Sequence, residues 1–289
     1  MPLYRCKNQV MGALVHVTAW ERVSLTRRIP CAFLRVAILI FMLAILFNLL
    51  GPPTAIFFAA RWEARRDPAV KVVPRPLADY SVSNSPGTEL SYFGYEFEVP
   101  WSGPFKQTVF GKGGIVQLRF ESGQYLSFTA LTNHAGLLTE IVQDNSMNFQ
   151  WLQPVFGDLL NRSAYDQYAA MLNTTPQSIR AFGPRADAAR GMILLTFKAI
   201  ATSPQLTTGV FSFELPDKRG FETGDPRKSR RIDLEIFGTG GDDVEIACTT
   251  WKDSVRFSQP ELNRILTSLH RLPADSSVTS SASIAAPLN

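Results

Sequence analysis

The residues of this chain best placed for chemistry are four carboxylates, Asp233, Glu235, Asp243 and Glu245. Arg231, Asp233 and Glu235 alternate with Ile232, Leu234 and Ile236, and beyond a GTGGD loop Asp243 and Glu245 alternate with Val244, Ile246 and Cys248. Such alternation on either side of a glycine-rich loop predicts a hairpin with one apolar face. If residue 237 pairs with 243, Glu235 lies opposite Glu245, and directly opposed like charges destabilise a sheet unless something neutralises them. A divalent cation such as Ca²⁺ would do so through oxygen ligands. Arg230, Arg231 or the basic stretch before them would do so more plainly. That stretch holds Lys218, Arg219, Arg227, Lys228, Arg230 and Arg231 among turn residues. Of these, Arg227, Lys228, Arg230 and Arg231 are candidates for contact with anionic lipid, where each basic residue contributes about 1 kcal/mol. A solvated charge run is the simpler reading.

No other residue type gathers into a catalytic pattern. The histidines, His16, His134 and His270, are far apart, with no HExxH or paired metal-ligand spacing. Cys248 alternates inward with Val244 and Ile246, which marks a buried, inert thiol rather than a nucleophile. Glycines at 111–114 and 238–241 lack the GxxxxGK[ST] spacing of a phosphate cradle and read as turns. There is no GxSxG elbow and no SxxK pair. No catalytic residue, cofactor or metal is assigned from these patterns.

The elements that position the hairpin follow from hydrophobic period. Tyr95, Phe97 and Val99 alternate with glutamates in GYEFEVPW. Val116, Leu118 and Phe120, then Leu126, Phe128 and Ala130, flank an ESGQ turn. Residues 137–152 and 163–172 carry helical spacing, the second opened by a Ser163/Asp166 cap. Thr175–Pro176 predicts another helix start, with Ile179 and Phe182 on one face and Gly183–Pro184 closing it. Ile193, Leu195 and Phe197 read as a strand, as do Phe211, Phe213 and Leu215. A last helix opens on Ser258, Pro260 and Glu261 and stacks Leu262, Ile265, Leu266 and Leu269. Strands, helices, more strands and a final helix make an α+β domain with a mostly antiparallel sheet.

Two segments of this pattern carry a resemblance. GYEFEVPW opening a hairpin, and VEIACTTWKDSVRFSQPELNRILTSL closing with a strand, a loop and an amphipathic helix, resemble the PsbP-like α/β/α sandwich. The resemblance implies a non-catalytic accessory or assembly role and brings no shared catalytic residues.

Upstream, Val36 to Phe47 contains no polar side chain, and to Ala60 only Asn48, Gly51, Pro52, Pro53 and Thr54 interrupt. As a helix this stretch reaches roughly 37 Å, against a hydrocarbon thickness of roughly 30 Å, so one transmembrane span is expected. Pro52 and Pro53 are expected to kink or end it, leaving Ile56 to Ala60 at the interface near Trp62. The expected organisation is a basic segment 1–35, an anchor 36–60, a juxtamembrane segment and proline-rich linker 61–91, a globular domain 92–272 and a disordered tail 273–289. Residues 1–78 hold eleven of the 29 Lys and Arg against three acids, a net +8, which leaves the rest at −4. The pI near 9.0 therefore belongs to the membrane flanks, and a net-negative domain argues against nucleic acid as a partner. Arg22, Arg27, Arg28 and Arg35 before the span are matched by Arg61, Arg65, Arg66, Lys71 and Arg75 after it. Because long domains translocate despite local charge, the N-terminus is expected in the cytoplasm and the domain outside. A single-pass, non-enzymatic binding or accessory module of the cell envelope, with the membrane and an envelope protein as partners, is the leading functional expectation. A hydrolase built from dispersed carboxylates and an apolar-ligand or lipid carrier, suggested by 20 Phe, are the alternatives.

Overall fold

The computed structural model describes residues 40–42, 51–110, 114–131, 135–143, 150–181, 184–202, 209–252 and 254–273. The basic segment 1–35, most of the expected anchor and the tail beyond 273 lie outside the described residues. No helix among the described residues is long and apolar enough to cross a membrane. The fold is mixed α+β with a large, mostly antiparallel sheet.

The chain enters the described domain through α1 (Pro52–Arg66). The two prolines start this helix: Pro at the first helical turn loses no intrahelical hydrogen bond, and Gly51, with φ 77°, turns the chain into it. The expected end of a helix before them lies outside the described residues. Arg65 and Arg66 sit in the last turn, where the helix dipole favours cations. Of the residues expected at the interface, Ile56 and Ala60 are instead buried in the domain, together with Ala55 and Ala64, while Phe58 is exposed. Ile56, Ala60 and Ala64 pack with Ala188, Met192 and Leu195 of α5 (Arg185–Ala201).

The expected linker is a fixed strap rather than a tether. A 3₁₀ turn at Pro68–Lys71, capped by Asp67 accepting from Ala69 N at 2.9 Å, buries Ala69 and Val70. Strand β1 (Arg75–Pro76) then pairs parallel with β7 (Val210–Glu214). From there the strap is held by α6 (Gln259–Ser268): Asn263 Nδ2 donates to Asp79 O at 2.9 Å and Ser81 O at 2.8 Å, and Arg264 Nη1 donates to Ser83 O at 3.0 Å.

Strands β2 (Thr88–Tyr92) and β3 (Tyr95–Val99) form a hairpin, which with β11 (His270–Arg271) makes a small three-stranded sheet. The main sheet adds β4 (Lys106–Phe110), β5 (Ile115–Arg119), β6 (Gln124–Leu131), β8 (Lys218–Thr223), β9 (Arg231–Gly238) and β10 (Asp243–Thr250). Its order is β1-β7-β8-β9-β10-β6-β5-β4. One face joins the small sheet and α6 in the largest core, where Phe97 stacks on Phe128 at 5.1 Å and Trp101 meets Phe120 edge-on. Ser258 N donates to Glu261 Oε2 at 2.7 Å, the expected capping box, and Leu262, Ile265, Leu266 and Leu269 are buried as the stripe predicts.

The other face carries α2 (Leu137–Gln143), α3 (Gln153–Phe156), α4 (Ala164–Asn173) and α5. Buried Gln167 on α4 ties this layer together, accepting from Leu138 N and Thr139 N and donating to Ala135 O and Thr139 Oγ1. Three expectations are corrected here. Residues 137–152 hold α2 and a 3₁₀ turn at Gln150–Leu152, not one helix, with 144–149 outside the described residues. Thr175–Ser178 is a single turn, not a helix start. Ile193, Leu195 and Phe197 lie on the 17-residue α5, not on a strand. Squeezed between α1 and the helical core, α5 has little polar surface to reveal its period.

Candidate functional site

The β9–β10 register is the one the carboxylates suggested: Ile236 pairs with Val244 and Glu235 with Glu245. Ile232, Leu234, Val244, Ile246 and Cys248 seal the face toward α6, so Arg231, Asp233, Glu235, Asp243 and Glu245 point to the helical side. Pairing continues across the sheet on that side. Arg231 leads through Thr249 and Tyr125 to Arg119, Asp233 through Ala247 and Ser127 to Gln117, and Glu235 through Glu245 and Thr129 to Ile115.

Each charge has a local answer. Asp233 is buried and accepts from Arg231 Nε at 2.7 Å on Oδ1 and 3.0 Å on Oδ2. Burial alone would lower the Arg231 pKa, but Asp233, with Glu245 and Glu235 behind it, turns the shift upward. Glu235 is held well above the usual carboxylate range, first by burial and then by Glu245 and Asp233; the Tyr168 hydroxyl, 3.5 Å from Oε1, and Arg231 oppose this only in part. Tyr168 itself is pushed up by burial and by the same carboxylates. Burial raises Tyr125 to about 12, with Arg119 and Arg231 pulling the other way. Burial and the opposed carboxylates thus favour the neutral form of Glu235, and the neighbouring Arg231 cation works against them. Among the described residues no three His, Cys, Asp or Glu are grouped to hold a metal ion.

Replacing Arg231 with Met is expected to cost about 2 kcal/mol at neutral pH, because Asp233 is left buried without its partner. The loss should fade at acid pH as Asp233 protonates, and Arg231→Met combined with Asp233→Leu should recover most of it. Denaturant titration of the four proteins of that cycle measures both effects.

The basic stretch does not stay together. Lys218 and Arg219 belong to β8, a central strand hidden in the sequence by its inward residues Lys218, Gly220 and Glu222. Lys218 is buried, its Nζ donating to Leu269 O, while the Arg219 guanidinium lies 3.9 Å over the Tyr165 ring. Among the four lipid-contact candidates, Arg231 is turned into the sheet face and Lys228 lies 3.4 Å from Asp225, which leaves Arg227, Lys228 and Arg230 exposed on the β8–β9 loop. His270 pairs with Glu96 at 3.2 Å on the small sheet, away from the carboxylates, and burial pushes the Cys248 thiol far up. His16 and His134 lie outside the described residues.

Two clefts open on the helical side. One of about 560 Å³ lies where α4 begins and is lined by Ser163, Tyr165, Arg219 and Asp243; another of about 480 Å³ lies between Thr139, Gln150 and Leu160. Among the described residues, Glu214 and Asp243 are the two acids lining the first, and no acid or histidine lines the second. Phe97, Phe120, Phe128, Phe156 and Phe221 are wholly buried, so these aromatics fill core rather than line a cavity.

The sheet is covered unevenly. Among the described residues the helical core takes Val210, Phe221 and Phe237 from β7, β8 and β9 and nothing from β4, β5, β6 or β10. Gln117, Arg119, Tyr125, Ser127 and Thr129 are accordingly half-buried, and edge strand β4 exposes Val109 and Phe110 beside exposed Phe105. Compared with known proteins, the chain matches no family model, no curated protein and no solved structure.

Proposed function

We propose that this chain is a membrane-tethered accessory module of the cell envelope, its N-terminus cytoplasmic and its domain outside, that binds a partner protein and performs no catalysis. The observation that carries this reading is the half of the main sheet that no helix among the described residues covers, ending at β4 with Phe105, Val109 and Phe110 exposed. An edge strand offers unpaired backbone N–H and C=O groups, and natural proteins ordinarily blunt such an edge with charge, proline or a covering element. Here Lys106 is the one charge on β4. A partner that adds a strand there would gain main-chain hydrogen bonds and would lie against Gln117, Arg119 and Tyr125. The layering of helices, main sheet and α6 is in keeping with the PsbP-like resemblance, whose members are mostly accessory proteins.

Photo-crosslinking residues placed at Thr108 and at Gln117 of the full chain, in cells that make it, are expected to give one discrete protein adduct, and a probe at Arg185 on the helical layer none. Absence of any adduct from both sheet positions, or equal labelling from Arg185, would remove the proposal.

A second reading, a hydrolase, draws on Glu235 directly opposite Glu245 across the β9–β10 hairpin, since one carboxyl pushed above its usual range beside a second is an arrangement suited to a general acid. It requires Glu235→Gln to abolish function in cells while the Thr108 adduct persists.

A further inference from the structure

Helix α1 has two committed sides. Ala55, Ile56, Ala60 and Ala64 are sealed against α5 and the 3₁₀ turn, which fixes the rotation of the helix on the domain. Phe58, Trp62 and Arg65 then fall at i, i+4 and i+7 on the opposite side, with Arg66 beside them. Phe58 is 58% exposed and Trp62 52%, and the Arg66 guanidinium lies 4.6 Å over the Trp62 ring. Neither Arg65 nor Arg66 forms an ion pair among the described residues. In the sequence this helix takes up the last residues of the apolar stretch that runs from Val36 to Ala60.

We propose that this outer stripe of α1 rests in the headgroup region of an anionic bilayer, Phe58 and Trp62 at the acyl boundary and Arg65 and Arg66 on lipid phosphates. The inference rests on the membrane-tethered reading above and adds to it a fixed posture, in which the domain is clamped to the surface by a rigid stem. Three features select lipid as the occupant. The apolar stretch brings the bilayer to within a turn or two of Phe58 along the chain. Tryptophan is the side chain that settles at membrane interfaces, its ring apolar and its N–H wet. Arginines one turn further on supply the charge that anionic phosphates attract. A water-facing helix has no need of two large aromatics one turn apart.

The full chain, reconstituted in vesicles of phosphatidylcholine and phosphatidylglycerol brominated near the headgroup end of the acyl chains, tests this through tryptophan emission. Subtracting the Trp62→Phe spectrum from wild type should yield a blue-shifted component that the brominated lipid quenches. Trp251, equally exposed at 52% beside Lys252 but remote from α1 in sequence, serves as the control, and the component lost in Trp251→Phe should be unquenched. Arg65→Glu with Arg66→Glu should shift the Trp62 component to the red while the protein stays with the vesicles. A chain that stays with the vesicles but shows no quenched Trp62 component overturns the posture alone. A chain recovered free of vesicles overturns the tethered reading and the posture with it.

Discussion

Phe128→Ala is expected to destabilise the domain by about 4 kcal/mol, the usual cost of opening a phenylalanine-sized cavity in a filled core. The ring is wholly buried on β6, stacked on Phe97 at 5.1 Å and meeting Tyr95 edge-on at 5.7 Å. Those partners belong to β3, so the side chain is a joint between the main sheet and the small one, and neighbours on two separate sheets cannot collapse together into the void. Phe128→Leu keeps most of the volume and should cost about 1 to 1.5 kcal/mol. Denaturant unfolding of the detergent-solubilised chain, followed by tryptophan fluorescence, separates the two. The neighbours of Phe128 along β6 are Ser127 and Thr129, which look out on the uncovered face. A loosened β6 should therefore also weaken the adduct formed from Gln117, its partner across Ser127. A loss for Phe128→Ala within about 0.5 kcal/mol of zero, the range of an ordinary surface change, would show that the joint is not under load.

The elements legible in the sequence were those with one dry face and one wet. The β5–β6 and β9–β10 hairpins alternate cleanly, and because a slip of one residue would turn every side chain over, alternation constrains register as well as existence. Glu235 opposite Glu245 followed only once residue 237 was paired with 243, since alternation excludes a slip of one residue but not of two. Elements whose partners cover them on both sides were not legible. Helix α5 buries Ala188, Met192 and Leu195 toward α1 and Leu194 and Phe197 toward the helical core, so its apolar run has no single period. Strand β8 conceals itself in the opposite way, by putting Lys218 and Glu222 where a strand puts valine. The strap read as a tether because the groups that hold it, Asn263 and Arg264, lie some 180 residues further along the chain. At the site, the carboxylates and Arg231 were visible as a pattern. Tyr168 was not, since only the packing of α4 against β9 brings its hydroxyl to Glu235.

Glu222 is expected to make stability fall as pH rises through neutrality, and Glu222→Gln to abolish that dependence. The side chain is wholly buried in the layer between β8 and α6, with Oε2 accepting from Gln259 Nε2 at 2.8 Å and Oε1 without a hydrogen-bond partner. Burial lifts its carboxyl from 4.5 to about 7, the Gln259 amide pulls it back, and Asp225 adds a little upward. A carboxyl that holds its proton more tightly when folded makes the folded state bind more protons between these two values. Stability is then greatest below about pH 4.5, declines as pH climbs toward 7, and stays at its reduced level above it, a difference of roughly 3 kcal/mol. Glutamine reproduces the protonated shape and cannot ionise, so the two proteins should unfold alike below about pH 4.5 and diverge as pH climbs toward 7, the variant being the more stable. Gln259 also donates to Asn263 Oδ1 at 3.1 Å, and Asn263 clamps the strap at Asp79 and Ser81, so the strain of a charged Glu222 is passed to the residues holding that segment. Limited proteolysis should accordingly cut wild type between residues 77 and 86 faster at pH 8 than at pH 6, and Glu222→Gln equally slowly at both. Parallel pH profiles of unfolding for the two proteins would mean that water reaches the carboxylate and that its burial costs nothing.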